Sequence, residues 1–185
     1  MSTPVWIRVD EDDAMLADYK ALTLPAGWVL RVGPRKPLSE VYNETFKLFR
    51  GGPDWYGFIG DDVVPETPGW DTKLIWAAAA SSMAVPSGSD TTGPCPHFVL
   101  GRRLPESTGW LCLPGLNRLY IDTVWHGIAK AKGAYREVPE VILSHYHFSN
   151  GKALFDRTYK KPNPEHDKRI YREWIAGQNG LLFDF

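Results

Sequence analysis

Cysteine is nearly absent from this chain, and so is any excess of charge. Two cysteines in 185 residues, Cys95 and Cys112, are too few for a disulfide scaffold. Their wide spacing fits no zinc pattern. Cys112, inside Trp110-Leu111-Cys112-Leu113, reads as a small core residue, and Cys95, between two prolines, as a loop residue. Both are expected to be free thiols in a reducing compartment. Lys and Arg number 21 against 22 Asp and Glu, a net charge of -1. No global field therefore draws the chain onto nucleic acid or an anionic membrane. Long apolar runs are missing too: the longest, Leu74-Ile75-Trp76-Ala77-Ala78-Ala79-Ala80, falls far short of the roughly 18 residues needed to span a bilayer. Met1-Ser2-Thr3-Pro4 has neither the basic nor the apolar region of a signal peptide, so the cytoplasm is the expected location. Neither a Gly-x4-Gly-Lys-Ser/Thr loop nor a Gly-x-Ser-x-Gly elbow is present, which argues against P-loop NTPases and α/β-hydrolases.

What the chain does have is an ordinary globular balance, 43% hydrophobic and 23% charged, which excludes a disordered, coiled-coil or collagen-like polymer. The length fits one domain, or one domain with a tail. Eight each of Trp, Tyr and Phe and 15 prolines stand out. Such a chain is rich in fixed turns and flat contact surfaces, as loop-built binding sites on rigid frames are.

Hydrophobic patterning places a strand at Val5-Trp6-Ile7-Arg8-Val9, then a helix over 14–20 capped by Asp12 or Asp13. A second strand follows at 28–32, a helix at 39–49 capped by Ser39, and a third strand at 55–59 running into Gly60-Asp61-Asp62. Strand, helix, strand, helix, strand predicts a mostly parallel sheet flanked by helices, with ligands bound beyond the carboxyl ends of the strands. Further along, the pattern gives a helix over 72–83, a proline- and glycine-rich surface loop over 84–97, and a strand at 97–101. A helix over 119–132 closed by Gly133 and a strand over 138–147 follow. The last stretch turns basic, with Arg157, Lys160, Lys161, Lys168, Arg169 and Arg172 set against Glu165 and Asp167. A solvated face is the simplest reading of it, and contact with phosphates the alternative.

Three local features can carry chemistry. Two carboxylates at the end of a buried strand, Asp61-Asp62, are costly unless a cation or donors compensate them; Mn²⁺ or Mg²⁺ bridging a diphosphate is one answer and local turn capping another. In His145-Tyr146-His147 the histidines sit at i and i+2 on a strand and share a face, so one of them is a candidate metal ligand. Asp122 stands early in a helix, where it reads either as a dipole partner or as a general base. Trp70, Trp110 and Trp125 flank turns or helix starts, where sugar rings stack on aromatic faces and where core packing is equally served.

Taken in order, Val9-Asp10-Glu11-Asp12-Asp13, Asn43, Phe58-Ile59-Gly60-Asp61-Asp62-Val63, Pro68-Gly69-Trp70-Asp71, Leu119-Tyr120-Ile121-Asp122-Thr123-Val124-Trp125 and His145-Tyr146-His147, with Asp156 and Tyr159 beyond, resemble the nucleotide-sugar glycosyltransferases of the A-type fold. The likeness is greatest to the small inverting family-2-like enzymes of phages and prophages, and it spans about residues 5–160. It implies a glycosyltransferase domain over 1–160 and a basic extension, 161–185, packing on or near it. Asp61-Asp62 resembles the family's metal- and diphosphate-binding pair in a Gly-Asp-Asp form, with Asp62 as the metal ligand. His147 resembles the late histidine that completes the metal site, with Asp61 and His145 as alternates. The resemblance further implies that Arg8 and Asp10 flank the nucleoside, that Asn43 and Asp61 face the donor, that Asp122 is the catalytic base, and that Trp110 and Trp125 line the acceptor side. Family members usually open with an additional strand and a Val-Pro-Thr-Arg-like turn. Nothing like it precedes Val5, so the chain reads as starting at the second strand, with an exposed sheet edge that would favour pairing with another copy.

The expectation is a metal-dependent glycosyltransferase, using Mn²⁺ or Mg²⁺, that moves a sugar from a nucleotide-diphosphate donor to an acceptor hydroxyl of a glycan, a protein or modified DNA. A non-catalytic carbohydrate- or partner-binding module on the same fold is the alternative. A nucleotidyltransferase or phosphohydrolase using the same carboxylates is a third reading.

Overall fold

The computed structural model describes residues 3–87, 93–155 and 163–178. Contacts divide the chain between Pro37 and Leu38 into two units. The first unit is small. Strand β1 (Val5–Asp10) pairs in parallel with β2 (Trp28–Gly33), in register from Val5 opposite Trp28 to Asp10 opposite Gly33. Helix α1 (Leu16–Ala21) is the crossover between them that a parallel pair demands. It starts later than the pattern predicts: Asp13 Oδ1 accepts from the Met15 amide at 2.8 Å, so that carboxylate shapes the turn before the helix.

The second unit holds a five-stranded sheet in the order β3 (Trp55–Gly57), β6 (Val99–Gly101), β5 (Met83–Ser87), β7 (Tyr135–His145), β4 (Val63–Pro65). Only β5 and β7 run parallel in it; the other three neighbouring pairs are antiparallel. The protein is thus α/β, as expected, but with a mixed sheet and a separate parallel pair instead of one mostly parallel sheet. The physical reason lies in β3. After α2 (Leu38–Phe49) the chain does not return beside β2; Tyr56 instead pairs with Leu100, and the Phe58 amide donates to the Phe98 carbonyl at 3.0 Å.

Helices cover both faces. Along β5, Met83 and Val85 point to one side and Ala84 to the other, by the alternation of a strand. Met83 and Val85 join the larger core with Phe46, Phe98, Leu100, Val124, Trp125 and Ile128, under α5 (Ile121–Ala131). Ala84 joins Val99, Val138, Val141 and Leu143 beneath Leu74 and Ala78 of α3 (Trp70–Ala78). Buried neighbours at i and i+4, Val124 with Ile128 and Trp125 with Ala129, give α5 its apolar stripe. Gly133, at φ +61°, ends the turn that follows it, where the Ala134 amide donates to the Ala129 carbonyl.

Residues 84–87 correct the start of the surface loop predicted over 84–97: with Met83 they form the central strand of the sheet, while 88–92 lie outside the described residues. Pro86 misleads because proline is expected only at sheet edges. It fits here because pairing with β6 ends at Ala84, while pairing with β7 shifts register just after Pro86. The helix read as 72–83 stops at Ala78, where Ala79 turns to φ 46°. Gly101 accommodates that turn. A Cβ on it would lie 2.0 Å from the Ala79 carbonyl oxygen, a backbone atom that cannot step aside cheaply. Gly101→Ala is therefore expected to lower the unfolding free energy by about 2 kcal/mol, read as a shift in urea midpoint at unchanged slope.

Short helix α4 (Arg103–Thr108) precedes Trp110, and helix α6 (Pro164–Gly177) lies in the stretch read as a basic extension. Asn163 caps α6 by accepting from the His166 amide. Ile170, Tyr171 and Trp174 of α6 pack against the larger core, so this part of the extension belongs to the second unit. Both cysteines are buried free thiols. Among the described residues no helix is long and apolar enough to cross a membrane.

Candidate functional site

The antiparallel pairing of β4 with β7 builds the site. Val63 sits opposite His145, and the Tyr146 amide donates to the Asp62 carbonyl at 2.7 Å, so the ladder continues one residue past β4. Residues 83 positions apart thereby meet: His145 Nε2 lies 2.9 Å from Asp62 Oδ2. The turn beyond β7 is fastened by Asn150, whose Nδ2 donates to the His145 carbonyl at 2.7 Å and whose Oδ1 accepts from the His147 amide at 3.3 Å.

A third histidine completes the corner. His97, just before β6, stands edge-on to His145 with ring centroids 5.0 Å apart, and the His147 ring lies 5.2 Å from that of His145. Gly60 makes the approach feasible. A Cβ there would lie 2.5 Å from Asp62 Oδ1 and 3.5 Å from His97 Cε1. His97 and His145 are 5% and 9% exposed, and His97 Nε2 and His145 Nδ1 are buried with no hydrogen-bond partner among the described residues. Burial, reinforced by His145, pushes His97 down to about 4, so its ring is neutral at physiological pH. Burial and His145 also lower His147, against the pull of Asp62.

The four side chains Asp62, His97, His145 and His147 thus share one corner. The metal pair named from sequence was Asp62 with His147; the structure gives Asp62 a direct contact with His145, the alternate. As they stand, no group of three or more His, Cys, Asp or Glu side chains among the described residues is gathered to hold a metal ion. Two buried unpaired imidazole nitrogens beside a carboxylate are nevertheless a donor set that fits a divalent cation, since buried polar atoms in native proteins are otherwise satisfied.

Asp122 occupies the first turn of α5. Its Oδ1 accepts from the Thr123 amide at 2.7 Å and the Thr123 hydroxyl at 3.3 Å. Desolvation outweighs those bonds and raises its pKa above the usual carboxylate range. The residue ahead of the helix, Tyr120, sits at φ 66°, a costly left-handed position for a tyrosine. Its ring stacks on Tyr171 of α6, 4.8 Å between centroids and 14° from parallel. Upstream, the buried Asp167 carboxylate of α6 accepts from three successive backbone amides, Asn117, Arg118 and Leu119, at 2.8, 2.9 and 2.7 Å. This fixes the segment leading into Asp122 and carries the exposed Arg118. The Arg118 charge acts on His147 and on Tyr42, which Asp61 also influences. Its guanidinium makes no hydrogen bond or ion pair among the described residues.

Other residues named from sequence have different employment. Trp125 is fully buried, with its indole N–H donating to the Leu111 carbonyl at 2.6 Å; it is core and presents no face to an acceptor. Trp110 packs against it at 5.2 Å and is half-buried. Trp70 packs half-buried against the smaller core. Asn43 clamps the chain before α5: its Oδ1 accepts from the Leu111 and Cys112 amides, both at 2.9 Å, and its Nδ2 donates to the Cys112 carbonyl at 2.8 Å. The expected helix cap, Ser39, lies inside α2 and donates its hydroxyl to the Leu116 carbonyl.

In the first unit Arg8 and Asp10 close into a network: Arg8 Nη1 is 3.3 Å from Asp10 Oδ1, and Arg35 bridges Asp10 and Asp12 at 2.9 Å each. Asp156, Arg157, Tyr159, Lys160 and Lys161 lie outside the described residues. A cavity of about 610 Å³ opens elsewhere, beside Cys95, Thr123, His126 and Tyr135, without touching the histidine corner.

Sequence reasoning missed His97, Arg118 and Asp167. Nothing around His97 marks it, since its partner lies 48 positions on. Asp167 is hidden among basic neighbours.

Compared with protein-family models, with curated proteins and with solved structures, the chain matches none.

Proposed function

We propose that this chain is a metal-dependent glycosyltransferase that moves a sugar from a nucleotide-diphosphate donor to an acceptor hydroxyl with inversion. The observation that carries the reading is the corner where Asp62 meets His145 beside two buried, unpaired imidazole nitrogens. The corner formed by Asp62, His145, His147 and His97 would hold a divalent cation, which would neutralise the donor diphosphate as a leaving group. Arg118, exposed and without an ion pair among the described residues, adds a positive charge for phosphate oxygens from a backbone fixed by Asp167. Asp122 accepts the proton of the attacking hydroxyl. Burial raises its pKa, which makes its carboxylate a stronger base than an ordinary aspartate.

A non-catalytic binding module is favoured by a different set of facts. Arg8 and Asp10 are closed in ion pairs and the Asn43 amide is engaged with backbone, which leaves few of the expected donor contacts available. Thermal melting separates the two readings. Mn²⁺ together with uridine or guanosine diphosphate is expected to raise the melting temperature more than either alone, and Asp62→Ala to lose that rise. No shift with any nucleotide, alongside a shift with an oligosaccharide, would favour the module.

A further inference from the structure

We propose that the divalent ion at this corner is held by nitrogen, through His145 Nδ1 and His97 Nε2, with Asp62 standing behind His145 as its orienting carboxylate. The inference deepens the glycosyltransferase reading and rests on it for the purpose of the ion, but not for its binding. It starts from the hydrogen bond between His145 Nε2 and Asp62 Oδ2 at 2.9 Å. A carboxylate only accepts, so Nε2 carries the proton, and in the neutral ring Nδ1 is left with its lone pair. That lone pair is buried and meets no donor among the described residues. The neighbouring ring, 5.0 Å away between centroids, contributes a second buried and unpartnered nitrogen, His97 Nε2. Two such atoms on neighbouring buried rings are costly in a folded core unless something occupies them.

A carboxylate behind an imidazole whose far nitrogen faces a metal is a recurrent arrangement: it fixes the tautomer and raises ligand basicity. Gly60 leaves room for it here: a Cβ at that position would lie 2.5 Å from Asp62 Oδ1 and force the carboxylate to shift. The His147 ring lies 5.2 Å from that of His145 and is only partly buried; water or a donor phosphate would supply the remaining ligands. The donor set decides the class of ion. Imidazole selects borderline first-row ions such as Zn²⁺ and Co²⁺, whereas Mg²⁺ and Ca²⁺ want oxygen. The site is thus expected to take Zn²⁺ or Co²⁺ in preference to Mg²⁺.

Titration of the full chain with Co²⁺, followed by its visible d–d absorption and without any nucleotide, tests this. Wild type is expected to develop bands at one equivalent, to lose them to Zn²⁺, and to keep them in a large excess of Mg²⁺. Asp62→Ala should weaken Co²⁺ binding by about 10- to 100-fold, and His97→Leu by more than that. His97→Gln serves as the second variant should the leucine fail to fold, with metal-free circular dichroism melts as the control. Absence of bands in wild type, displacement of Co²⁺ by Mg²⁺, or wild-type binding in a folded His97 variant would each overturn the proposal. Those outcomes are distinct from failure of the glycosyltransferase reading, in which Co²⁺ binds through His97 but no nucleotide changes the melting temperature.

Discussion

Asp167→Ala is expected to cost about 3 kcal/mol of stability and roughly 6–12 °C in melting temperature. The carboxylate is 1% exposed and is the acceptor for three consecutive amides, from Asn117 to Leu119. Hydrogen bonds to an ionised acceptor are about twice as strong as neutral ones. Alanine leaves all three donors without it, and only those near the surface regain water. The substitution Asp167→Asn keeps one acceptor oxygen but turns an N–H₂ toward donors, so its loss should fall between alanine and wild type. The effect should reach function as well. The pinned segment carries Arg118 and leads through the left-handed Tyr120 into Asp122. A variant that is merely less stable would recover full turnover when assayed well below its melting temperature. Loss of the segment's geometry predicts that it does not.

How much of this was legible in the sequence depends on whether the information was local. The β1–α1–β2 crossover and helices α2 and α5 were read correctly in kind because their apolar spacing and closing glycines lie within a few residues of each other. One error, the loop predicted over 84–97, came from a local signal overridden by tertiary context. Pro86 argued against a strand, yet its missing N–H falls where β6 no longer pairs. Asp61-Asp62 with His145-Tyr146-His147 pointed to a shared corner, but which histidine meets Asp62 is fixed by register. Val63 opposite His145 sets it, since His145 and His147 share a face and only a two-residue slip would bring His147 to that position.

The site residues that were missed fail for the same reason. His97 matters only through Gly60 and His145, and Asp167 only through amides some fifty positions upstream. Trp125 was legible as a large aromatic near a helix start, but the indole bond to Leu111 that makes it core is a long-range fact. Mixed antiparallel pairing of β3 and β4 likewise has no local signature, because three-residue strands are too short to show a period.

Under the proposed glycosyltransferase function, Asp122→Asn is expected to reduce sugar transfer by about 10²- to 10⁴-fold, the range for removing a general base, while leaving any melting-temperature rise with nucleotide and metal at its wild-type size. It should also make the protein more stable at neutral pH. The sign follows from burial. Desolvation raises the folded-state pKa of Asp122 above its ordinary 3.8, so the folded state holds its proton more tightly than the unfolded chain does. That contribution to stability is complete below the unfolded pKa and is lost as pH rises through the folded one. At neutral pH, above the unfolded pKa, the raised folded-state pKa therefore costs the wild-type protein stability, a cost that asparagine does not carry. Asn can still accept from the Thr123 amide that Asp122 now engages. The variant is expected to melt higher than wild type at pH 7, with the gap closing as pH falls toward the ordinary carboxylate range. A side chain that lowers stability where the protein works, and whose removal abolishes transfer but not binding, is a base held in readiness. A structural aspartate would show the opposite: a lower melting temperature at neutral pH and loss of nucleotide binding together with turnover.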